Sequence, residues 1–274
     1  KNTNNLRTKV INDLNFKSLD IITNYGLKNE YNVYLKNLNT LGKNDSLYKS
    51  SLQMELMSIL EFNTSFPMIN RTESHTNYLT PKASIRFNPG DMKDYSSSDR
   101  SIDIDGVFDI NRLAIDDSFE EGKSLTVGLE YKKTKLNDIN KFFEAKIATV
   151  YRDKDEKFIP QSSAIGSKET NIFGSISNNF SDFVNISYDF IMDNNFNTLE
   201  YNSLNTSIIY KNFNTSFNFI EEDGAIGDTN TIENKTSFRF NDENYLTFNT
   251  RRNRKINLTE YYNLIYEYKN DCLI

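Results

Sequence analysis

Four kinds of residue in this chain could carry chemistry. His75, the single histidine, lies in the polar run RTESHTNY with serines nearby. A Ser/His pair with a polar orienting residue can hydrolyse esters, but such a site is identified by geometry and roles, which one strand-linking segment does not define. No HExxH motif and no Cys/His pairing accompanies it, so His75 reads as a structural or surface residue. The acidic runs DIDGVFD (Asp103 to Asp109), IDDSFEEG (Ile115 to Gly122) and EED (Glu221 to Asp223) offer carboxylates to a divalent cation. None has the spacing of a calcium loop, and solvated loop charge is the preferred reading. Lys132, Lys211, Lys235, Arg239 and Arg251 fall on the polar faces of alternating segments, where they would either guide an anionic solute or simply be tolerated by water. Cys272 is the lone thiol; an odd cysteine in an envelope protein implies a partner elsewhere.

The segments that must position these residues share one pattern, an alternation of period two. In FVNISYDFIMD, Val184, Ile186, Tyr188, Phe190 and Met192 alternate with Asn185, Ser187, Asp189 and Ile191. SLTVGLEYK, TIENKTSFRF and the run from Leu258 to Lys269 repeat it. Weaker examples start at Asn29, Leu52, Tyr78, Phe142, Leu204 and Asn244, and helical spacing is nowhere sustained. These strands run about 9 to 13 residues, longer than soluble sheets favour and suited to a tilted bilayer crossing. Short turns such as KNFN (Lys211 to Asn214) and NDEN (Asn241 to Asn244) alternate with long polar connections such as EEDGAIGDTN, NPGDMKDYSSSDRS and RDKDEKFIPQSSAIGSKET. The fold class expected is all-β: an antiparallel meander forming part of a large outer-membrane β-barrel. Pro89 and Pro160 fall in loops, and Pro67 and Pro81 near strand ends, where a missing ladder donor is tolerated.

Composition agrees. Only 37% of the 274 residues are hydrophobic, yet 20 Phe and 16 Tyr bring the aromatic share to 13%, which a disordered chain does not carry. The net charge of −6 is scattered, leaving no basic stripe for nucleic acid. No run approaches the roughly eighteen apolar residues of a membrane helix, and the charged start KNTNNLRTKV does not lead into a signal-peptide core. The abundance of Asn reads as coding bias.

Within this frame, Asn77 to Lys133 resembles the barrel of the LPS-assembly family LptD. The residues that carry the resemblance are Leu79 and Pro81, the run Asn111-Arg112-Leu113, the acidic Asp116-Asp117, Glu121-Gly122, and Gly128-Leu129 with Tyr131. Downstream, Tyr151-Arg152-Asp153, the strand end near Tyr188 to Asn194, and the closing YEYKNDC are similar to further elements of that family. The likeness runs from about Tyr78 onward in the family's order, and these positions are read as structural.

The resemblance implies a function: insertion of lipopolysaccharide into the outer leaflet of the outer membrane of a Gram-negative bacterium, by a translocon component that is not an enzyme and needs no cofactor. It implies as partners lipopolysaccharide itself, outer-membrane lipids, an LptE-like plug lipoprotein, and an LptA-like periplasmic bridge reached through an N-terminal periplasmic domain. Residues 1–274 would then be a partial barrel domain, an open sheet with two unpaired edges, with that periplasmic domain and the last barrel strands outside it. Cys272 would be half of a disulfide whose partner lies outside this chain. Two alternatives stand beside this reading. A general porin or receptor-type barrel would share the alternation but gives no reason for the Asn111 to Gly122 block, and a soluble β-rich structural or adhesin protein would share the strand content.

Overall fold

The alternation is realised along nearly the whole chain. A computed structural model describes residues 5–45, 48–179 and 181–269. The strands are β1 (Leu6–Lys17), β2 (Ile21–Ile22), β3 (Lys28–Lys43), β4 (Gln53–Ser65), β5 (Met68–Arg71), β6 (His75–Asn88), β7 (Gly122–Lys135), β8 (Asp138–Arg152), β9 (Glu169–Asn178), β10 (Val184–Met192), β11 (Leu199–Tyr210), β12 (Phe213–Glu222), β13 (Asn230–Arg239), β14 (Asn244–Asn253) and β15 (Leu258–Tyr268). They form one antiparallel meander in which each long strand pairs with the next. β2 pairs β3, β5 pairs β6, and β1 and β15 are the ends of the ladder among the described residues. Among the described residues, helix is confined to single 3-10 turns at Gly106–Phe108 and Gln161–Ser163.

The chain clusters into two units: residues 1–66, 82–127 and 150–170, and residues 67–81, 128–149 and 171–274. In the first, burial follows the period of two but inverts the habit of soluble sheets. On β4, Glu61 is buried while its neighbour Leu60 and the more distant Leu56 are exposed. On β6, Ser84, Arg86 and Asn88 are buried and Ile85 between them is exposed; on β7, Ser124 and Thr126 are buried around exposed Leu125. A strand with apolar side chains outward and polar ones inward is the pattern of a barrel wall in lipid.

The polar connections after β6 and β8 differ from expectation. Residues 89–121 and 153–168 are not solvated loops but a folded cap with its own apolar centre, in which Val107, Ile115, Phe119, Ile159 and Ile165 are each at most 2% exposed. These apolar residues are spaced among Asp, Ser and Asn, so local polarity conceals them. Tyr95 N–H donates to the Phe158 carbonyl at 3.0 Å, and Arg100 N–H to Ser162 Oγ at 2.9 Å, which joins the two segments. Phe119 meets the inward face of β3, its ring 4.9 Å from that of Tyr34.

In the second unit the faces separate as the alternation predicts. Ile186, Tyr188 and Phe190 of β10 share a face with Leu204, Phe217 and Phe219 of β11 and β12, while Asn185 and Ser187 lie on the other. Gly174 of β9 sits opposite Phe190, and a Cβ there would lie 2.2 Å from the ring. β1, β9, β12 and the short β2 and β5 are strands that the alternation did not single out, and Phe213 and Asn214, read as part of a turn, begin β12.

Candidate functional site

The inward face of the first unit gathers five charged side chains under the cap. Alternate positions place Arg86 inward from β6, and antiparallel register sets it directly opposite Glu61 of β4, the favourable arrangement for opposite charges across a ladder. Arg86 Nη2 donates to Glu61 Oε1 at 3.2 Å and Nη1 to Glu120 Oε2 at 3.4 Å; Nη2 also donates to the Asp109 carbonyl. β8 ends on Arg152, which donates to Glu120 Oε1 and to the Glu121 carbonyl.

Glu120, in the cap just before β7, is the centre. Arg112 grips it with both arms: Nε to Oε2 at 2.7 Å, and Nη2 to Oε1. The same guanidinium donates to Thr126 Oγ1 and Ser124 Oγ on β7, each at 3.1 Å. Asn88 Nδ2 donates to the Glu120 carbonyl at 3.1 Å. The five charged side chains are between 0% and 5% exposed. Burial alone would push the Glu120 carboxyl up, but the adjoining Arg112 charge and hydrogen bond, with Arg86 and Arg152, hold it well below the ordinary carboxylate range. Three guanidinium groups thus meet two carboxylates in a site closed to water, and two guanidinium nitrogens, Nε of Arg86 and of Arg152, have no hydrogen-bond partner among the described residues.

Around this centre the runs Asp103 to Asp109 and Ile115 to Gly122 serve the cap, whereas in the run Glu221 to Asp223 of the second unit Glu221 accepts from Asn202 and Asn230. Asp103 Oδ1 accepts from Gly106 N–H at 2.7 Å, starting the 3-10 turn. Burial raises the Asp109 carboxyl, against the pull of Arg86 and with Asp103 and Glu61 adding to the rise. Asp117 accepts from the Tyr95 hydroxyl, whose ionisation is pushed up first by burial and then by that bond. Glu121 pairs with Lys154 at 2.6 Å and accepts from Met92 N–H at 3.2 Å. These carboxylates cap turns and pair with cations rather than standing as solvated charge; among the described residues no group of His, Cys, Asp and Glu is arranged to hold a metal ion.

The sequence-predicted positions divide. Arg112 and Arg152 meet at Glu120. Asn111 holds the turn beside Arg112, its Nδ2 donating to the Ile115 carbonyl at 3.1 Å. Glu121 and Gly122 follow Glu120 directly, and Gly122 has a φ of +83°, with a would-be Cβ 3.3 Å from Asp153 Oδ1. Tyr151 points to the other face, 46% exposed. Leu79, Pro81 and Gly128 lie in strands of the second unit; Pro81 falls where β6 changes partner, since Leu79 pairs with β5 and Lys82 with β4, a break in the pairing at which a proline is tolerated. Ser74 Oγ lies 2.7 Å from His75 Nδ1 in the turn before β6, a turn closed by reciprocal bonds between Thr72 and His75. Cys272 lies outside the described residues. Glu61 and Arg86 were not anticipated, and Glu120 only as one carboxylate of the run IDDSFEEG; the available signal for the first two was a charge set among alternating apolar residues in ILEFNTS and ASIRFN.

A long-stranded antiparallel meander with apolar residues outward and a paired-charge interior defines an outer-membrane barrel protein. The sequence matches the LptD family, LPS transport system D, over residues 13–242, a span that contains every member of the cluster, and the chain belongs to that family. No curated protein matches the chain. The family transports and assembles lipopolysaccharide at the outer membrane and is not a family of enzymes.

Proposed function

We propose that this chain forms part of the wall of the translocon that places lipopolysaccharide in the outer leaflet of the outer membrane of a Gram-negative bacterium. The observation that carries the reading is the inverted burial of a chain belonging to this family: Leu56 and Leu60 of β4, Ile85 of β6 and Leu125 of β7 face outward, while Glu61, Arg86, Ser124 and Thr126 face inward, with Ile59 of β4 the one aliphatic among them. Such a wall lets acyl chains remain in lipid while a saccharide keeps polar company. The buried cluster fixes the cap to four strands and so sets the shape of the inner face, a positioning task without bond chemistry. An LptE-like lipoprotein on the inner side and an LptA-like bridge delivering substrate complete the reading, with Cys272 as half of a disulfide to a cysteine outside this chain.

Depletion of the protein in its native host, with surface lipopolysaccharide measured by antibody labelling of intact cells, tests it. Surface lipopolysaccharide should fall as the protein disappears. Unchanged surface lipopolysaccharide would overturn the transport reading, and recovery of the protein in the soluble fraction with no heat-modifiable gel mobility would overturn the barrel itself.

A further inference from the structure

Among the described residues β1 pairs only with β3, yet two of the charges it turns inward lead to the cap. Asp13 lies directly opposite Lys36 of β3, and Lys36 Nζ sits 3.1 Å from Asp13 Oδ1, with the lysine side chain 3% exposed and the aspartate 41%. On its other side Lys36 lies opposite Met57 of β4, which offers no charge, so Asp13 is the counter-ion. The same ammonium meets the cap: the Phe119 ring centre is 5.3 Å from Nζ, beside the Tyr34 ring at 5.6 Å. Phe119 directly precedes Glu120, the centre of the cluster. The second charge is Lys17. Its Nζ lies 2.9 Å from Glu30 Oε2, Glu30 Oε1 accepts from Asn32 Nδ2 at 3.0 Å, and the same Nδ2 donates to Glu61 Oε2 at 2.7 Å. Glu61 holds Arg86, which reaches Glu120. One chain of ionic and aromatic contacts and one of polar contacts thus run from a single strand to the same part of the cap.

We propose that β1 and the cap form one coupled latch: the cap closes fully only while β1 is docked on β3, and a closed cap in turn holds β1 in place. Lys36 is the reason. With Asp13 opposite, its charge is compensated across the ladder, and Phe119 packs on an ion pair. With β1 withdrawn, the cap would close on a buried ammonium that has no counter-ion, and the aromatic face offsets only part of that cost. Withdrawal also takes Lys17 from Glu30 and leaves that carboxylate without its cation at the start of the second chain. Coupling between two sites is reciprocal, so whatever draws β1 from β3 loosens the cap, and whatever lifts the cap loosens β1. The latch requires the fold alone and not the transport reading.

Limited trypsin digestion of the full chain, purified from its native outer membrane, reads the forward direction. Asp13→Asn should raise cleavage at Lys93 and Arg100 of the cap by about ten- to a hundred-fold, less than the loss of a wholly buried partner because Asp13 is partly exposed, and should leave the exposed turn at Arg254 and Lys255 unchanged. Adding Lys36→Met should restore cap protection, since the unpaired charge then disappears. Hydrogen exchange reads the reverse direction: Phe119→Leu, which keeps Asp13 and Lys36, should speed exchange of the β1 amides by about tenfold and leave β13 and β14 unchanged. Unchanged cap cleavage in Asp13→Asn, cleavage that rises equally at the control turn, or no rescue by Lys36→Met would each overturn the latch. If Asp13→Asn does not accumulate in the membrane, Phe119→Leu decides alone, and unaltered exchange in β1 would overturn it.

Discussion

Glu120→Gln keeps the size and shape of the side chain and removes its charge, leaving three buried guanidinium groups with the Glu61 carboxylate alone. Breaking a buried ion pair from one side costs about 3–5 kcal/mol, because the remaining charge is uncompensated. Glu120 answers Arg112, Arg152 and Arg86 together, which places the substitution towards the upper end of that range. Since 1.4 kcal/mol is a factor of ten, cap opening should become about a hundred- to several-thousand-fold more frequent. Limited trypsin digestion reads this directly: Lys93, Arg100 and Arg112 lie in the cap, and cleavage there tracks the open population when opening is rapid. Cleavage in the exposed turn at Arg254 and Lys255 serves as the control that should not change. The pH dependence carries the same signature. The folded state holds the Glu120 carboxyl below its ordinary value of 4.5, so its stabilisation is complete above that pH and drains away as pH falls towards the lowered value. The parent protein should therefore approach the cap sensitivity of Glu120→Gln only in acid well below pH 4.5, where pepsin replaces trypsin as the probe. Equal cap cleavage in the two proteins at neutral pH would refute the reasoning, since the charge of Glu120 would then hold nothing in place.

Two further substitutions probe the backbone. Gly122→Ala places a side chain at φ +83° and 3.3 Å from Asp153, and should destabilise by about 1–3 kcal/mol, read as greater trypsin sensitivity at Lys123 and in the adjoining cap; insensitivity would mean the turn relaxes freely. Gly174→Ala drives a methyl into the Phe190 ring, 2.2 Å from its nearest atom, and should lower the temperature at which heat-modifiable mobility is lost. Phe190→Ala combined with it should relieve the clash and show clear non-additivity; simple additivity would mean that the ring is not the obstacle.

Much of the wall was legible because period two survives in single strands. β10, β13 and β15 read cleanly, since most of their apolar residues keep to one face, with Ile191, Tyr261 and Ile265 as exceptions. β1 did not, because Lys9, Asn12 and Asp13 make LRTKVINDLNFK read as polar, and β9 did not, because Gly174 and two serines interrupt ETNIFGSISN. The cap was hidden for a different reason: Val107, Ile115 and Phe119 are scattered between acids without a period, and the cap forms by tertiary contacts, Phe119 against Tyr34 of β3 and Tyr95 and Arg100 against the segment 153–168, which no local window contains. The same applies to the charge cluster. Arg112 and Arg152 stood out by their place in the family resemblance, but Glu61 and Arg86 become partners only through the register of β4 and β6, and Glu120 became central although its neighbours Glu121 and Gly122 were the residues noticed.

The cluster also orders events during assembly. Glu120 draws its partners from β6, from β8 and from its own loop, so its charge is fully compensated only when strands well apart along the chain have found their register. An early, collapsed cap would hold Glu120 against Arg112 alone, with Arg86 and Arg152 still out of reach, and would be less stable for it. The cap therefore closes late, after β4, β6, β7 and β8 are aligned, and its closure reports that the wall beneath it has been built in the correct order.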